Sequence, residues 1–186
     1  KREWFDAEGK RVAQAPDLDR IVIAIDPAAK STEGSDETGI VAAGIVGPVN
    51  SSTCYVLEDA SGRYAPDEWA RQAIALYHKH KADRIVAEVN QGGAMVEAVV
   101  RTESALVPFR AVHAHTGKAA RAEPVAALYE QGRVHHLPGL GRLESQMCHM
   151  TAQGYRGVGS PDRVDALVWA LTELMLNEVV PRVRGL

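Results

Sequence analysis

The sequence predicts an α/β fold in which a mixed sheet is flanked by helices. Its first half holds three short apolar runs separated by turn signals, and from the third run onward apolar runs alternate with stretches of helical periodicity. The last such stretch is a long, largely apolar helix. At 186 residues, 46% of them hydrophobic and 24% charged, the chain fits one globular domain.

The first three strands are expected to form an antiparallel meander. The polar, glycine-containing segment 27–37 joins the first two as a hairpin with a long tip. Pro66 then suits the first turn of a helix, which is expected to end near His80. The three strands are expected at residues 20–26, 38–46 and 53–58.

In the second half, strands and helices are expected to alternate. A strand at 84–89 precedes a helix through Met95, and a strand at 106–112 precedes a basic loop and a helix that ends near Gly132. Ser160-Pro161 is a good start for the closing helix. Its apolar face holds Val164, Leu167, Val168, Leu171, Leu174 and Met175. The aromatic and methionine residues at apolar helical positions are expected in the core: Trp69, Met95, Trp169 and Met175.

This order of elements matches a ribonuclease H-like arrangement better than a Rossmann sheet, which would begin with a βαβ unit. In the ribonuclease H-like order the first and fourth strands are neighbours, so side chains at their carboxyl ends can converge. We expect this domain to span 20–180, with 1–19 as a connector and 181–186 as a tail.

Three carboxylates lie at the edges of these elements. Asp26 closes the first strand, Glu88 closes the fourth, and Asp165 lies in the first turns of the last helix. An unpaired buried charge costs several kcal/mol, roughly, so such residues need a counter-ion. Oxygen ligands with open positions suit Mg²⁺ or Mn²⁺, and two ions about 4 Å apart would suit phosphodiester hydrolysis. Asp162 lies on the same helix face as Asp165, and either binds a second ion or caps the helix.

Each carboxylate also has a structural explanation when taken alone. Asp26 before Pro27 is typical of a turn, and acids in a first helical turn are favoured by the helix dipole. All three carboxylates occur together and in this order along the chain, and this combination favours a metal site over the separate structural explanations.

Four segments resemble the nuclease domain of the terminase large subunit of tailed bacteriophages or prophages: 25–27, 35–40, 85–88 and, most specifically, 157–171. The resemblance implies an endonuclease, preceded by an ATPase motor domain, that cuts concatemeric viral DNA when packaging begins and again when the head is full. It also implies that Asp26, Glu88 and Asp165 are the catalytic, metal-binding triad. The implied partners are double-stranded DNA, the portal protein and the small terminase subunit, in the host cytoplasm and outside the mature virion.

Basic residues near the fifth strand are candidates for DNA contact. We expect Lys118 and Arg121 to bind the phosphate backbone beside the triad, with Arg156 and Arg163 as weaker candidates. Asp36 on the hairpin tip is an auxiliary candidate for the metal site, although a solvated turn residue is the favoured interpretation.

Composition excludes several other classes. The net charge of −3 argues against nucleic-acid binding by bulk electrostatics, so any such contact must be local. The sequence has no Walker A pattern, no CxxC pair and no apolar run long enough for a membrane span, so we predict neither ATP hydrolysis nor membrane association. The alternatives that stay open are a Holliday-junction-resolvase-like nuclease and a non-catalytic packaging adaptor. An actin-like nucleotide-binding half is disfavoured, because it needs a second, similar half and a glycine-rich phosphate loop, and 186 residues leave room for neither.

Overall fold

The main sheet is mixed, as predicted. The computed structural model describes residues 4–5, 11–12, 16–27, 37–48, 51–90 and 93–177. Two short strands near the amino end, β1 (Trp4–Phe5) and β2 (Arg11–Val12), pair antiparallel with each other. Within the described residues, the main sheet consists of β3 (Arg20–Asp26), β4 (Gly39–Val46), β5 (Thr53–Asp59), β6 (Arg84–Glu88), β7 (Phe109–Val112) and β8 (Val134–His136).

The strand order across the sheet is β7-β6-β3-β4-β5-β8. Strand β4 pairs antiparallel with both β3 and β5, whereas the other neighbouring strands pair parallel. The predicted meander and the predicted adjacency of the first and fourth strands are therefore confirmed. Ile25 pairs with Ala87, so the next residues, Asp26 and Glu88, end their strands at the same edge of the sheet.

Helices cover both faces of the sheet. The helices are α1 (Pro66–His80), α2 (Gly93–Glu103), α3 (Lys118–Glu130), α4 (Gly141–Met147) and α5 (Asp162–Leu171), which continues as a π-helical turn at Thr172–Leu176. A small antiparallel ladder of β9 (Met150–Thr151) and β10 (Gly154–Tyr155) lies between α4 and α5. None of the helices in the described part of the chain is long and apolar enough to cross a bilayer.

Alternation along the strands divides the core into two layers. Ile23 and Ile25 of β3 face α1 and α2, whereas Val22 and Ala24 face α3, α4 and α5. Every residue of α5 is buried, including its charged ones, because this helix packs across β3 and β4. The predicted helix from Pro66 to His80 and the closing helix are both present.

Several expectations need correction. The strand predicted from residue 106 begins only at Phe109, and Leu106 is 93% exposed. Met95 was expected in the core but is 62% exposed, because α2 packs through Val96 and Val100, which lie on a different face of the helix. Trp69, Trp169 and Met175 are buried as expected. Strand β8, helix α4 and the β9-β10 ladder were not predicted, and Asp36 lies outside the described residues.

Candidate metal centre

Three aspartates meet where β3 ends and α5 begins. One carboxylate oxygen from each of Asp26, Asp162 and Asp165 lies within 4.8 Å of the others. Asp162 and Asp165 are only 6% and 3% exposed. Buried carboxylates this close repel one another, and oxygen ligands of this kind fit a hard divalent cation. The residues present therefore fit Mg²⁺ or Mn²⁺.

A glycine allows the start of α5 to approach the sheet this closely. Gly39 pairs with Asp26 across β3 and β4. A Cβ added at Gly39 would collide with the backbone carbonyl of Asp162 and would also crowd the side chain of Ala166. Gly39 therefore sets the distance between the aspartate on the strand and the two on the helix.

Glu88 lies beside the three aspartates and is held by Trp169. The indole Nε1 of Trp169 donates a hydrogen bond of 2.8 Å to Glu88 Oε2. Trp169 follows Asp165 by four residues, so both side chains lie on the same face of α5. The sequence placed Trp169 in the core but gave it no part in the site. Its spacing of four from Asp165 was the available signal.

Two cations face these carboxylates. The Lys118 ammonium donates to Asp165 Oδ2 and, at 3.0 Å, to Ser160 Oγ. Arg121 Nη2 lies 3.5 Å from Asp165 Oδ1 and 3.7 Å from Glu88 Oε2, and the guanidinium carbon lies 5.1 Å from the centroid of the Trp169 ring. Both side chains turn toward the site, and their contact with DNA stays a prediction. Among the described residues, four carboxylates thus face these two cations.

The pKa values reflect this crowding. Burial raises the pKa of Asp26 well above its ordinary value, and the neighbouring charges of Asp165 and Glu88 raise it further. Burial also raises the pKa of Asp165, although its hydrogen bond with Lys118 opposes this rise. For Lys118, burial acts to lower the pKa, but the surrounding aspartates outweigh it and the pKa is raised. Burial and mutual repulsion thus both disfavour the charged form of these carboxylates, and a bound cation would relieve both.

Arg163 has a structural role, which overturns the expectation that it contacts DNA. It is 4% exposed, and its guanidinium donates to Asp59 at 2.5 Å, to Glu37 at 2.9 Å and to the carbonyl of Ser61 at 3.1 Å. It points into the protein because the whole of α5 is buried. These bonds fix the first turn of α5, which carries Asp162 and Asp165, against the end of β5.

The chain matches a known protein family over most of its length. The model of the terminase RNase H-like domain matches residues 23–174 of the chain. The chain belongs to this family. Comparison with curated proteins gave no match. The site described above therefore occupies the sheet edge of a terminase RNase H-like domain.

Solved structures of terminase nucleases share the fold. The large terminase nuclease from thermophilic phage G20c, with bound magnesium, is 16% identical, with a TM-score of 0.62 over 88% of this chain and 86% of that one. The large terminase nuclease domain from bacteriophage SPP1, with bound manganese, is 14% identical, with a TM-score of 0.59 over 86% and 89%. The nuclease domain of the large terminase subunit gp2 of bacterial virus Sf6, a mutant with manganese, is 14% identical, with a TM-score of 0.59 over 84% and 90%. The predicted ribonuclease H-like fold is confirmed.

Proposed function

We propose that this terminase domain is a metal-dependent DNA endonuclease that cuts concatemeric viral DNA when genome packaging begins and ends. The observation that carries the proposal is the convergence of Asp26, Asp162 and Asp165, with Glu88 beside them, at one edge of the sheet. The fold alone would be compatible with many activities, so the site must supply the argument. The metals named for the solved G20c and SPP1 nucleases support the same chemistry.

The aspartates would hold two Mg²⁺ or Mn²⁺ ions, with Glu88 as a further ligand. When bound, such ions activate the attacking water and stabilise the leaving oxygen of the phosphodiester. The rest of the site positions these ligands. Trp169 fixes one oxygen of Glu88, and Arg121 lies between Glu88 and Asp165, where it reduces the repulsion between them.

Lys118 and Arg121 are proposed to contact the DNA backbone at the cut. Lys118 is 44% exposed although it bonds Asp165, so its ammonium lies between the carboxylates and solvent. A phosphate that arrives at the aspartates would meet this cation first. Lysine and arginine suit this role because they donate charge-assisted hydrogen bonds to phosphate oxygens.

The wider setting is also a proposal. Double-stranded DNA is the proposed substrate, and the portal protein and the small terminase subunit are the proposed partners in a packaging motor in the host cytoplasm, outside the mature virion. Residues 1–19 would connect this domain to an ATPase domain, residues 20–180 would form the nuclease, and 181–186 would be a tail.

Cleavage of supercoiled plasmid in EDTA, Mg²⁺ or Mn²⁺ tests the proposed activity. We expect nicking with either metal and none in EDTA. Asp165→Asn should lose nicking at least about a hundredfold, since it removes a charged ligand of the metals. Asp67→Asn is the matched control, because Asp67 also lies in the first turn of a helix but on the other face of the sheet.

Two outcomes would count against this function. If Asp165→Asn cuts at the rate of the unsubstituted protein, the proposed site is wrong. If the unsubstituted protein cuts with neither metal, the proposed activity is wrong. A strong preference for four-way junctions over linear duplex would instead favour the resolvase-like alternative.

A further inference from the structure

A basic cleft lies beside the candidate metal centre. It has a volume of about 370 Å³ and opens between α4, the β9-β10 ladder and the loop that leads into α5. Its wall is formed by Arg142, Gln146, His149, Tyr155, Arg156 and Val158, among others. The predicted catalytic chemistry and the predicted DNA contacts at Lys118 and Arg121 do not use this cleft, although the sequence named Arg156 as a weaker candidate for DNA contact.

The cations of the cleft are available to a ligand. Arg142, His149 and Arg156 are exposed, and no acidic residue lines the cleft in the described part of the chain. The side chain of Arg156 donates a long hydrogen bond of 3.5 Å to the amide oxygen of Gln153. Glu144, the carboxylate of α4, is 3.0 Å from His136 instead. Within the described residues, no carboxylate pairs with the guanidinium groups of Arg142 and Arg156, in contrast to those of Arg121 and Arg163.

The walls of the cleft are held in place by specific contacts. The backbone N–H of Arg156 donates to the carbonyl of His149 at 2.9 Å, which ties the two ends of the ladder together. The Tyr155 hydroxyl lies over Gly157, where a side chain would collide with it. These contacts thus hold in place the backbone that carries His149 and Arg156.

A short chain of hydrogen bonds joins the cleft to the metal centre. The side chain of Gln146 donates to the carbonyl of Ser160 at 3.2 Å and accepts from the N–H of Val164 at 3.0 Å. Ser160 in turn accepts from Lys118, which also bonds Asp165. Gln146, which lines the cleft, therefore contacts the residues at the start of α5, the helix that carries Asp162 and Asp165.

We propose that this cleft binds the phosphodiester backbone of duplex DNA on one side of the cut, through Arg142 and Arg156. This proposal rests on the proposed nuclease function, and it adds a second DNA contact to the one proposed at Lys118 and Arg121. A chain with a net charge of −3 needs local cations to hold a polyanion, and a guanidinium can donate two parallel hydrogen bonds to one phosphate. The anchor would fix the register of the duplex over the aspartates and would carry no sequence preference.

The test is the salt dependence of duplex binding. Binding of a fluorescein-labelled duplex is followed by anisotropy in EDTA at several NaCl concentrations, for the unsubstituted chain and for Arg142→Gln/Arg156→Gln. Each lost phosphate contact should make the slope of log K against log [NaCl] shallower by about 0.9, so the double variant should change it by about 1 to 2. Affinity at low salt should fall about tenfold, with an unchanged melting temperature.

Two further variants control for charge and for folding. Arg71→Gln/Lys81→Gln removes two exposed cations on and just after α1, on the opposite face of the sheet, and should leave the slope unchanged. Arg142→Lys/Arg156→Lys keeps both charges and should retain most of the slope. In Mn²⁺, the double glutamine variant should raise the KM for DNA while kcat is retained.

The outcomes separate the two proposals. If the unsubstituted chain and the double glutamine variant have equal salt slopes and equal affinities, the cleft does not bind DNA. Metal-dependent nicking by the same proteins would still support the proposed nuclease activity. An equal loss of DNA affinity in the double glutamine, double lysine and α1 variants would also contradict DNA binding by the cleft. A chain that neither binds nor cuts duplex DNA would overturn both.

Discussion

Substitution of Gly39 by alanine should damage the metal centre without touching any of its carboxylates. Gly39 does not have a positive φ, so alanine is compatible with its backbone conformation. The added Cβ would instead collide with the backbone carbonyl of Asp162, which is part of the helix and cannot rotate away as a side chain can. The start of α5 must therefore move away from β3, and Asp162 and Asp165 move with it.

The cost in stability should be modest and the cost in metal binding large. Overpacking of a buried site costs about 1–3 kcal/mol, and replacement of glycine at a compatible φ regains about 0.4–1 kcal/mol through the unfolded state. The free energy of unfolding should thus fall by about 0–2.6 kcal/mol. Displaced ligands should lower Mn²⁺ affinity about 10- to 100-fold.

Calorimetric titration with Mn²⁺, with a melting curve for each protein, measures both quantities. Gly44→Ala is the matched control, because it is the same change in the same strand. Its Cβ would meet Leu18 and Ile21 at 3.0 Å and the carbonyl of Arg20 at 3.1 Å, which small shifts relieve, and all lie far from the aspartates. Mn²⁺ affinity in Gly39→Ala equal to that in Gly44→Ala would refute the reasoning.

Three other predictions follow from the contacts of the site and of α5. Burial raises the pKa of Asp26 well above its ordinary value, so in the metal-free protein Asp26 holds its proton to higher pH when folded than when unfolded. Its contribution to the free energy of unfolding should therefore fall as the pH rises above about 4. In chemical denaturation at a series of pH values, Asp26→Asn should lack this contribution. Trp169→Phe keeps an aromatic ring but loses the indole N–H that bonds Glu88, so Mn²⁺ affinity in a titration should drop about tenfold. Arg163→Met leaves Asp59, whose side chain is 4% exposed, without its counter-charge and should lower the free energy of unfolding by about 3–5 kcal/mol in urea; a loss below 1 kcal/mol would contradict the assigned role.

The sequence predicted those parts of the fold whose signals are local. Strand β3 and helix α1 carry clear apolar periodicity and turn residues at their ends, so their bounds were predicted closely. Strand β8 has only one apolar residue in Val134–His136, and its existence depends on parallel pairing with β5. Such pairing is a tertiary effect that three residues cannot encode.

For the site, too, local signals were predictable and tertiary effects were not. Asp26, Glu88 and Asp165 could be selected because each lies at the end of an element where packing does not explain a charge. The ion pair of Arg163 could not be predicted, because only the packing of α5 decides whether an arginine on it faces solvent or Asp59. The part played by Trp169 was missed because a core residue and a hydrogen-bond donor look the same in a sequence.

The most direct test of the metal centre is anomalous diffraction from crystals soaked in Mn²⁺. We expect anomalous density between Asp26, Asp162 and Asp165, with carboxylate oxygens about 2.0–2.3 Å from the ion and with Lys118 moved off the oxygen of Asp165 that it now bonds. Crystals with no anomalous density at these carboxylates at saturating Mn²⁺, and with Lys118 still bonded to Asp165, would contradict the account.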